Sequence, residues 1–333
     1  MFKDMLKEIL AAYGATGREQ TVSDVIKAYV APYADEVYND VMGNLIAIRR
    51  GTSGKRIMLS AHMDQIGLIV CDIDEKGFLR VSNVGGVSPI VSAAREVVFE
   101  NGVRGVVYFE TEKAGIDKAT LSTLFIDIGA ESYDQAAAKV QIGDVAVYAT
   151  NFVDMGKRFA CGALDDRVCC AIVAESFMTA ASEHDIYAVF TVQEEVGLRG
   201  ATTAAYAISP DFGINLDVTL TGDTPKSSRM SVKLGAGPTI KVMDSSSIIP
   251  VFVRRFMEDV ARENDIPVQN EVLKAGGTDA GAVLKTKGGI PACCVSIPTR
   301  YVHTPVETAD MDDCLNAVKF VNAMMAKKEL PTP

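Results

Sequence analysis

The sequence predicts an α/β fold with a β-rich segment inserted into it, and two patterns carry that expectation. Toward both ends of the 333-residue chain, helical and strand periodicities alternate, as in a sheet covered by helices. Between about Gly67 and Val153, short alternating runs follow one another instead. The simplest division makes residues 1–66 plus 154–333 one α/β domain and 67–153 an inserted β-rich domain.

The elements follow in order. Helical spacing runs over Phe2 to Ala12 and Glu19 to Tyr33, then a strand pair, Val37 to Asn39 and Leu45 to Arg49, and a further strand, Arg56 to Ser60. In the insertion, strands are expected at Leu68 to Asp72, Phe78 to Val81, Glu96 to Glu100, Gly105 to Phe109, Leu124 to Ile128 and Asp144 to Thr150. One short helix, Tyr133 to Ala138, interrupts them, and Asn101-Gly102 reads as a type I′ hairpin turn. Beyond it come a helix from Leu164 to about Ala181, strands Ile186 to Val192 and Gly213 to Val218, helix Val251 to Glu263, strand Ala292 to Ile297 and helix Met311 to Lys327.

Composition narrows the function classes. A 48% hydrophobic content supplies a globular core, and a net charge of −10 without a run of lysine or arginine argues against nucleic-acid or anionic-membrane surfaces. No apolar run approaches the roughly 20 residues of a membrane span, and Met1 to Gly14 reads as an amphipathic helix rather than a signal segment. Seven cysteines, an odd number, suit a reducing compartment, so the expected location is cytoplasmic. All seven read as small buried residues, because none has the CxxC spacing of a structural zinc site.

The residues that could do chemistry gather where apolar strands end. His62 and Asp64 follow the strand at Arg56, with one able to ligate a metal while the other orients it. Asp165 and Asp166 open an apolar-periodic run, where a helix N-cap is an equal reading. Glu194 and Glu195 close the strand at Ile186; two adjacent carboxylates there need either solvent or a cation. Asp217 ends another strand and His303 follows a fourth. If these strands are neighbours, their carboxyl ends form one crevice. Two histidines and three carboxylates suit a pair of divalent ions, with zinc, cobalt or manganese all compatible. The third histidine, His184, lies in a polar stretch and reads as solvent-exposed. Gly276, Gly277, Thr278 and Asp279 are candidate substrate contacts, with a glycine-rich turn as the alternative.

Together, Ala61-His-Met-Asp, Ala163-Leu-Asp-Asp-Arg, Gln193-Glu-Glu-Val-Gly, Gly276-Gly-Thr-Asp-Ala and Pro298-Thr-Arg-Tyr-Val-His-Thr-Pro-Val-Glu resemble the M42 family of metallo-aminopeptidases. The resemblance implies a mixed-sheet catalytic domain of the zinc-peptidase type with an inserted, barrel-like dimerisation domain, and dimers assembling to a dodecamer. It implies two divalent metals, zinc or cobalt first, with Asp165 bridging, His62 and Asp217 on one ion, and Glu195 and His303 on the other. Glu194 becomes the general base acting on peptide substrates, Asp64 supports His62, and the Asp165–Asp166 peptide is cis. Gln65 and Cys169 depart from the family pattern of glutamate and glycine. A deacylase or carboxypeptidase, a glycosidase and a catalytically inactive scaffold are the rival readings.

Overall fold

The structure, a computed structural model, describes residues 2–333 except 112–114, 180 and 228. An eight-stranded mixed sheet organises the two ends of the chain, in the spatial order Glu36–Asn39, Leu45–Arg49, Asp185–Thr191, Arg56–His62, Phe212–Thr219, Ala292–Pro298, Thr239–Met243, Gln269–Val272. Its central four strands run parallel: Asp185–Thr191 and Phe212–Thr219 flank Arg56–His62, and Ala292–Pro298 lies outside Phe212–Thr219. These strands are buried on both faces, which is why they read as continuous apolar runs rather than alternating ones.

Helices cover the sheet. Phe2–Ala11 buries Phe2, Met5, Leu6, Ile9 and Leu10, the single apolar stripe that its spacing predicts. Leu164–Thr179 is different: every residue from Leu164 to Ala174 is buried, so the helix is enclosed on all sides. Fully buried Arg167 anchors it, donating to the carbonyls of Met63 at 3.2 Å, Ala12 at 2.5 Å and Gly14 at 3.1 Å. This helix is described to Thr179; Ala180, within the expected span, and Met1 of the first helix lie outside the described residues.

The middle of the chain forms a closed, six-stranded antiparallel barrel ordered Gly67–Ile73, Leu79–Val84, Leu124–Asp127, Arg104–Phe109, Glu96–Phe99, Val145–Tyr148. It has its own apolar core, including Leu68, Leu79, Phe99, Val107 and Ile126. A three-stranded sheet, Val153–Met155, Arg158–Cys161 and Glu307–Asp310, follows it. No helix among the described residues is long and apolar enough to cross a membrane.

Four local expectations are corrected. Gly102 takes a positive φ of 84° but Asn101 does not, and Phe99 O accepts from Gly102 N at 2.9 Å; the turn is a type I turn followed by a left-handed glycine, not type I′. A second short helix, Pro89–Ser92, also interrupts the barrel strands. Cys71 is exposed, because it sits where the register of Gly67–Ile73 shifts against its neighbour. His184 is only 2% exposed: its ring nitrogens meet Ser53 Oγ at 2.7 Å and the Lys327 carbonyl at 2.8 Å, so contacts distant in sequence bury it.

Candidate active site

Because the central strands are parallel, their carboxyl ends lie at one edge of the sheet. Thr191 is in register with His62, and Asn215 with Ser60, which sets Asp217 level with the histidine. The segment after Ala292–Pro298 brings His303 to the same edge. His62, Asp165, Glu194, Glu195, Asp217 and His303 all line one cavity of about 610 Å³.

Asp165 lies at the centre. Its Oδ1 is 3.1 Å from His62 Nε2 and its Oδ2 is 3.2 Å from His303 Nε2, so the two oxygens of one carboxylate face two imidazoles. Around these contacts, His62, Asp165 and Asp217 form one cluster, and Asp165, Glu195 and His303 a second, each with ligand atoms within 4.8 Å of one another. Asp165 belongs to both. The helix N-cap alternative describes neither aspartate: the Asp165 oxygens face the imidazoles, Asp166 Oδ2 accepts the His62 backbone N–H and its Oδ1 has no hydrogen-bond partner, so neither carboxylate takes a first-turn N–H, and the peptide between the two is cis.

Asp64 orients what surrounds the clusters. Its peptide carbonyl is 3.0 Å from His62 Nδ1, while its carboxylate is 3.5 Å from the same nitrogen. The carboxylate instead accepts the backbone N–H groups of Glu194 at 3.0 Å and Glu195 at 3.2 Å, and the Thr16 hydroxyl at 2.9 Å. Glu194 and Glu195 stand in a turn beyond the end of the strand, after Gln193 at φ 54°, so the turn rather than strand alternation separates their side chains.

The electrostatics of the protein groups favour added positive charge. Burial and then, chiefly, Asp217 and Asp279 push the Glu194 carboxyl well above the usual range, and burial with Asp165 raises Asp217. Glu195 is raised to about 7 by burial and by Asp165. Burial opposes protonation of His303, but Asp165, Glu195 and Glu307 outweigh it and lift that imidazole to about 10. The only basic side chains among the described residues lining the cavity are the two imidazoles. A nitrogen and oxygen donor set this rich in buried carboxylate fits divalent cations, which would relieve its mutual repulsion.

The comparisons with known proteins point to one family. A family model described as M42 glutamyl aminopeptidase matches residues 43–320. The chain belongs to the M42 aminopeptidase family. It is accordingly an aminopeptidase, a hydrolase of peptide bonds. A relative from Acetivibrio thermocellus is 48% identical, with 96% of each chain covered. Lysyl aminopeptidase of Pyrococcus furiosus is 36% identical over 97% of this chain and 96% of its own. Among solved structures, the TET aminopeptidase of Thaumarchaeota archaeon SCGC AB-539-E09 superposes with a TM-score of 0.94 at 32% identity, covering 99% of this chain and 98% of that one. The Pyrococcus horikoshii TET1 peptidase, which can assemble into a tetrahedron or a large octahedral shell, gives 0.86 at 32% identity over 98% and 100%.

In this M42 chain Gly277 and Thr278 line the cavity, but Asp279 is not among the lining residues: it is 2% exposed and accepts the Thr191 hydroxyl at 2.7 Å. Glu307, given no role from sequence, is a structural hub of the M42 site. Its Oε1 accepts the His303 N–H at 2.7 Å and its Oε2 the Asp165 N–H at 3.0 Å. Burial, then Asp165, raises it to about 8. Its place four residues after His303 was the available signal. Asp166 likewise accepts the His62 N–H at 3.2 Å.

Proposed function

We propose that the chain is a dinuclear metallo-aminopeptidase: His62, Asp165 and Asp217 hold one divalent ion, Asp165, Glu195 and His303 hold the other, and Glu194 is the general base. The observation that supports this most strongly is the shared carboxylate of Asp165, one oxygen toward each imidazole. Zinc and cobalt suit this donor set, and manganese is compatible. The chemistry that such a pair supplies when bound is polarisation of the scissile carbonyl and a lowered pKa for the attacking water.

The chain's own groups do the rest. Glu194 Oε2 is 3.8 Å from His62 Nε2, within the cavity and beside the ligand clusters. A carboxylate in that place suits a base that takes the water proton, holds it and delivers it to the leaving amine. Asp64 is a positioning residue, since it holds the backbone of Glu194 and Glu195 rather than facing the substrate. Gly277 and Thr278 contact the substrate.

In the same reading, residues 1–66 with 154–333 are the catalytic domain, and 67–153, which include the barrel, mediate dimer contacts within a larger homo-oligomer, as the TET peptidases assemble. The location is cytoplasmic, in keeping with free cysteines at all seven positions.

The test is digestion of a peptide mixture carrying free and acetylated N-termini, with chelator and then with zinc, cobalt or manganese restored. Stepwise N-terminal loss from free peptides alone, abolished by chelator and recovered with metal, is the expected result. Cleavage of acetylated peptides, or indifference to chelator, contradicts the proposal.

A further inference from the structure

The cavity has two chemically different walls. One is the titratable set already described. The other is built from Val218, Thr219 and Leu220 at the end of Phe212–Thr219, with Leu273 and Ala275 ahead of the paired glycines and Val302 beside His303. No described residue on this second wall carries a charge.

The hydroxyls of Thr219 and of Thr278, which lines the cavity after the paired glycines, are committed inward. Thr219 donates to Glu271 at 2.8 Å, and Thr278 donates to Asp244 at 3.1 Å. Neither proton is left to bind a ligand. Of the cations near the wall, Lys274, between Leu273 and Ala275, is exposed and is not among the residues lining the cavity, and two others are committed. Arg300 is tied to both oxygens of Asp223, at 2.9 and 2.7 Å, and fully buried Lys241 is paired with Glu271. Leu220, by contrast, lines the cavity and is 45% exposed.

Resting on the aminopeptidase reading, we infer that this wall seats the side chain of the substrate's N-terminal residue and selects a neutral, apolar one such as leucine or methionine. A cavity of about 610 Å³ holds such a side chain together with the following residues. An acidic or basic side chain placed against it loses water and meets no opposite charge on that wall. A charge stripped of water without a partner is rejected by ~10²-fold or more. This chain therefore differs in preference from relatives whose names specify glutamyl or lysyl substrates.

The experiment measures kcat/KM of the metal-loaded enzyme on leucyl, methionyl, glutamyl and lysyl aminocoumarin amides, with N-acetyl-leucyl amide as control. Leucyl or methionyl substrates should exceed glutamyl and lysyl ones by ~100-fold. Leu220→Lys should raise the glutamyl-to-leucyl ratio at least ~10-fold with metal content unchanged, because it supplies the missing counter-charge. Glutamyl or lysyl turnover equal to leucyl, or an unchanged ratio in Leu220→Lys, overturns the inference while the aminopeptidase reading stands. Absence of turnover on every amide, or turnover of the acetylated control, overturns that reading and the inference with it.

Discussion

Asp64 and Glu194 are joined through the backbone: Asp64 Oδ1 accepts the Glu194 N–H at 3.0 Å, and Oδ2 accepts the next N–H, that of Glu195, at 3.2 Å. One buried carboxylate thus sets the turn that carries both the proposed base and a proposed ligand. Since a carboxylate is needed to accept from both donors, Asp64→Asn should orphan one of them. The expected loss is ~10- to 100-fold in activity or metal affinity, read from kcat/KM and from metal titration.

Glu194→Gln should separate binding from chemistry. The amide keeps the shape and removes the base, so kcat should fall ~10²- to 10⁴-fold while bound metal stays at the wild-type level. Metal analysis beside steady-state kinetics checks it; near-normal kcat would remove Glu194 from the base role.

Gly86, from the turn after the barrel strand Leu79–Val84, packs against the His303 ring. A Cβ there would lie 2.5 Å from His303 Nδ1 and 2.7 Å from Cε1, so in Gly86→Ala the imidazole or the turn beside it must give way. The ion assigned to Asp165, Glu195 and His303 should then bind more weakly, and titration should show one tight equivalent of metal where the wild type shows two. Unchanged stoichiometry and affinity would count against His303 as a ligand.

Lys241 and Glu271 are a fully buried ion pair, and Glu271 also accepts from Thr219 and Thr239 at 2.8 and 2.6 Å. Lys241→Met should destabilise the fold by about 3–5 kcal/mol, because it leaves a buried carboxylate without its cation. Adding Glu271→Gln should recover part of that loss, as measured by denaturant unfolding.

Asp313 gives a pH prediction away from the site. It is 1% exposed and accepts the N–H groups of Gly235 and Gly237, each at 2.7 Å, yet burial raises it from 3.8 to about 6. A carboxyl raised in the folded state stabilises below its ordinary value, and that contribution is lost as pH rises through about 6. Asp313→Asn, a neutral isostere that cannot ionise, should fall less steeply between pH 4 and 6 than the wild type. Parallel slopes in urea unfolding across that range would contradict the assignment.

Much of this was legible in the sequence because the chemistry sits where long apolar runs stop. Arg56–His62 and Phe212–Thr219 are recognisable from composition, and the parallel pairing that aligns their ends follows from the alternation of strand and helix. The strands that escaped reading are short, and several carry polar residues. Thr239–Met243 carries Lys241, and Gln269–Val272 is an edge strand of mostly polar residues around buried Glu271. Glu307–Asp310 is buried although three of its four residues are polar, since Glu307 accepts from Asp165 and His303, Thr308 donates to the Val306 carbonyl and Asp310 accepts the Asp312 N–H. Helix Arg199–Ile208 is small-residue rich, so its buried Gly200, Ala201, Ala204 and Ala205 give little apolar signal. His184 and Glu307 escaped for one shared reason. Their partners, the Lys327 carbonyl and the Asp165 N–H, are supplied by segments 143 and 142 residues away.

The most direct test of the dinuclear account is to strip the protein with chelator and follow N-terminal residue release from one free peptide as zinc or cobalt is added back. Release should be absent in the stripped protein and rise until two equivalents per chain are bound, with Asp165→Asn recovering neither metal site fully nor activity. Full turnover in the stripped protein, or saturation of both binding and activity at a single equivalent, would contradict it.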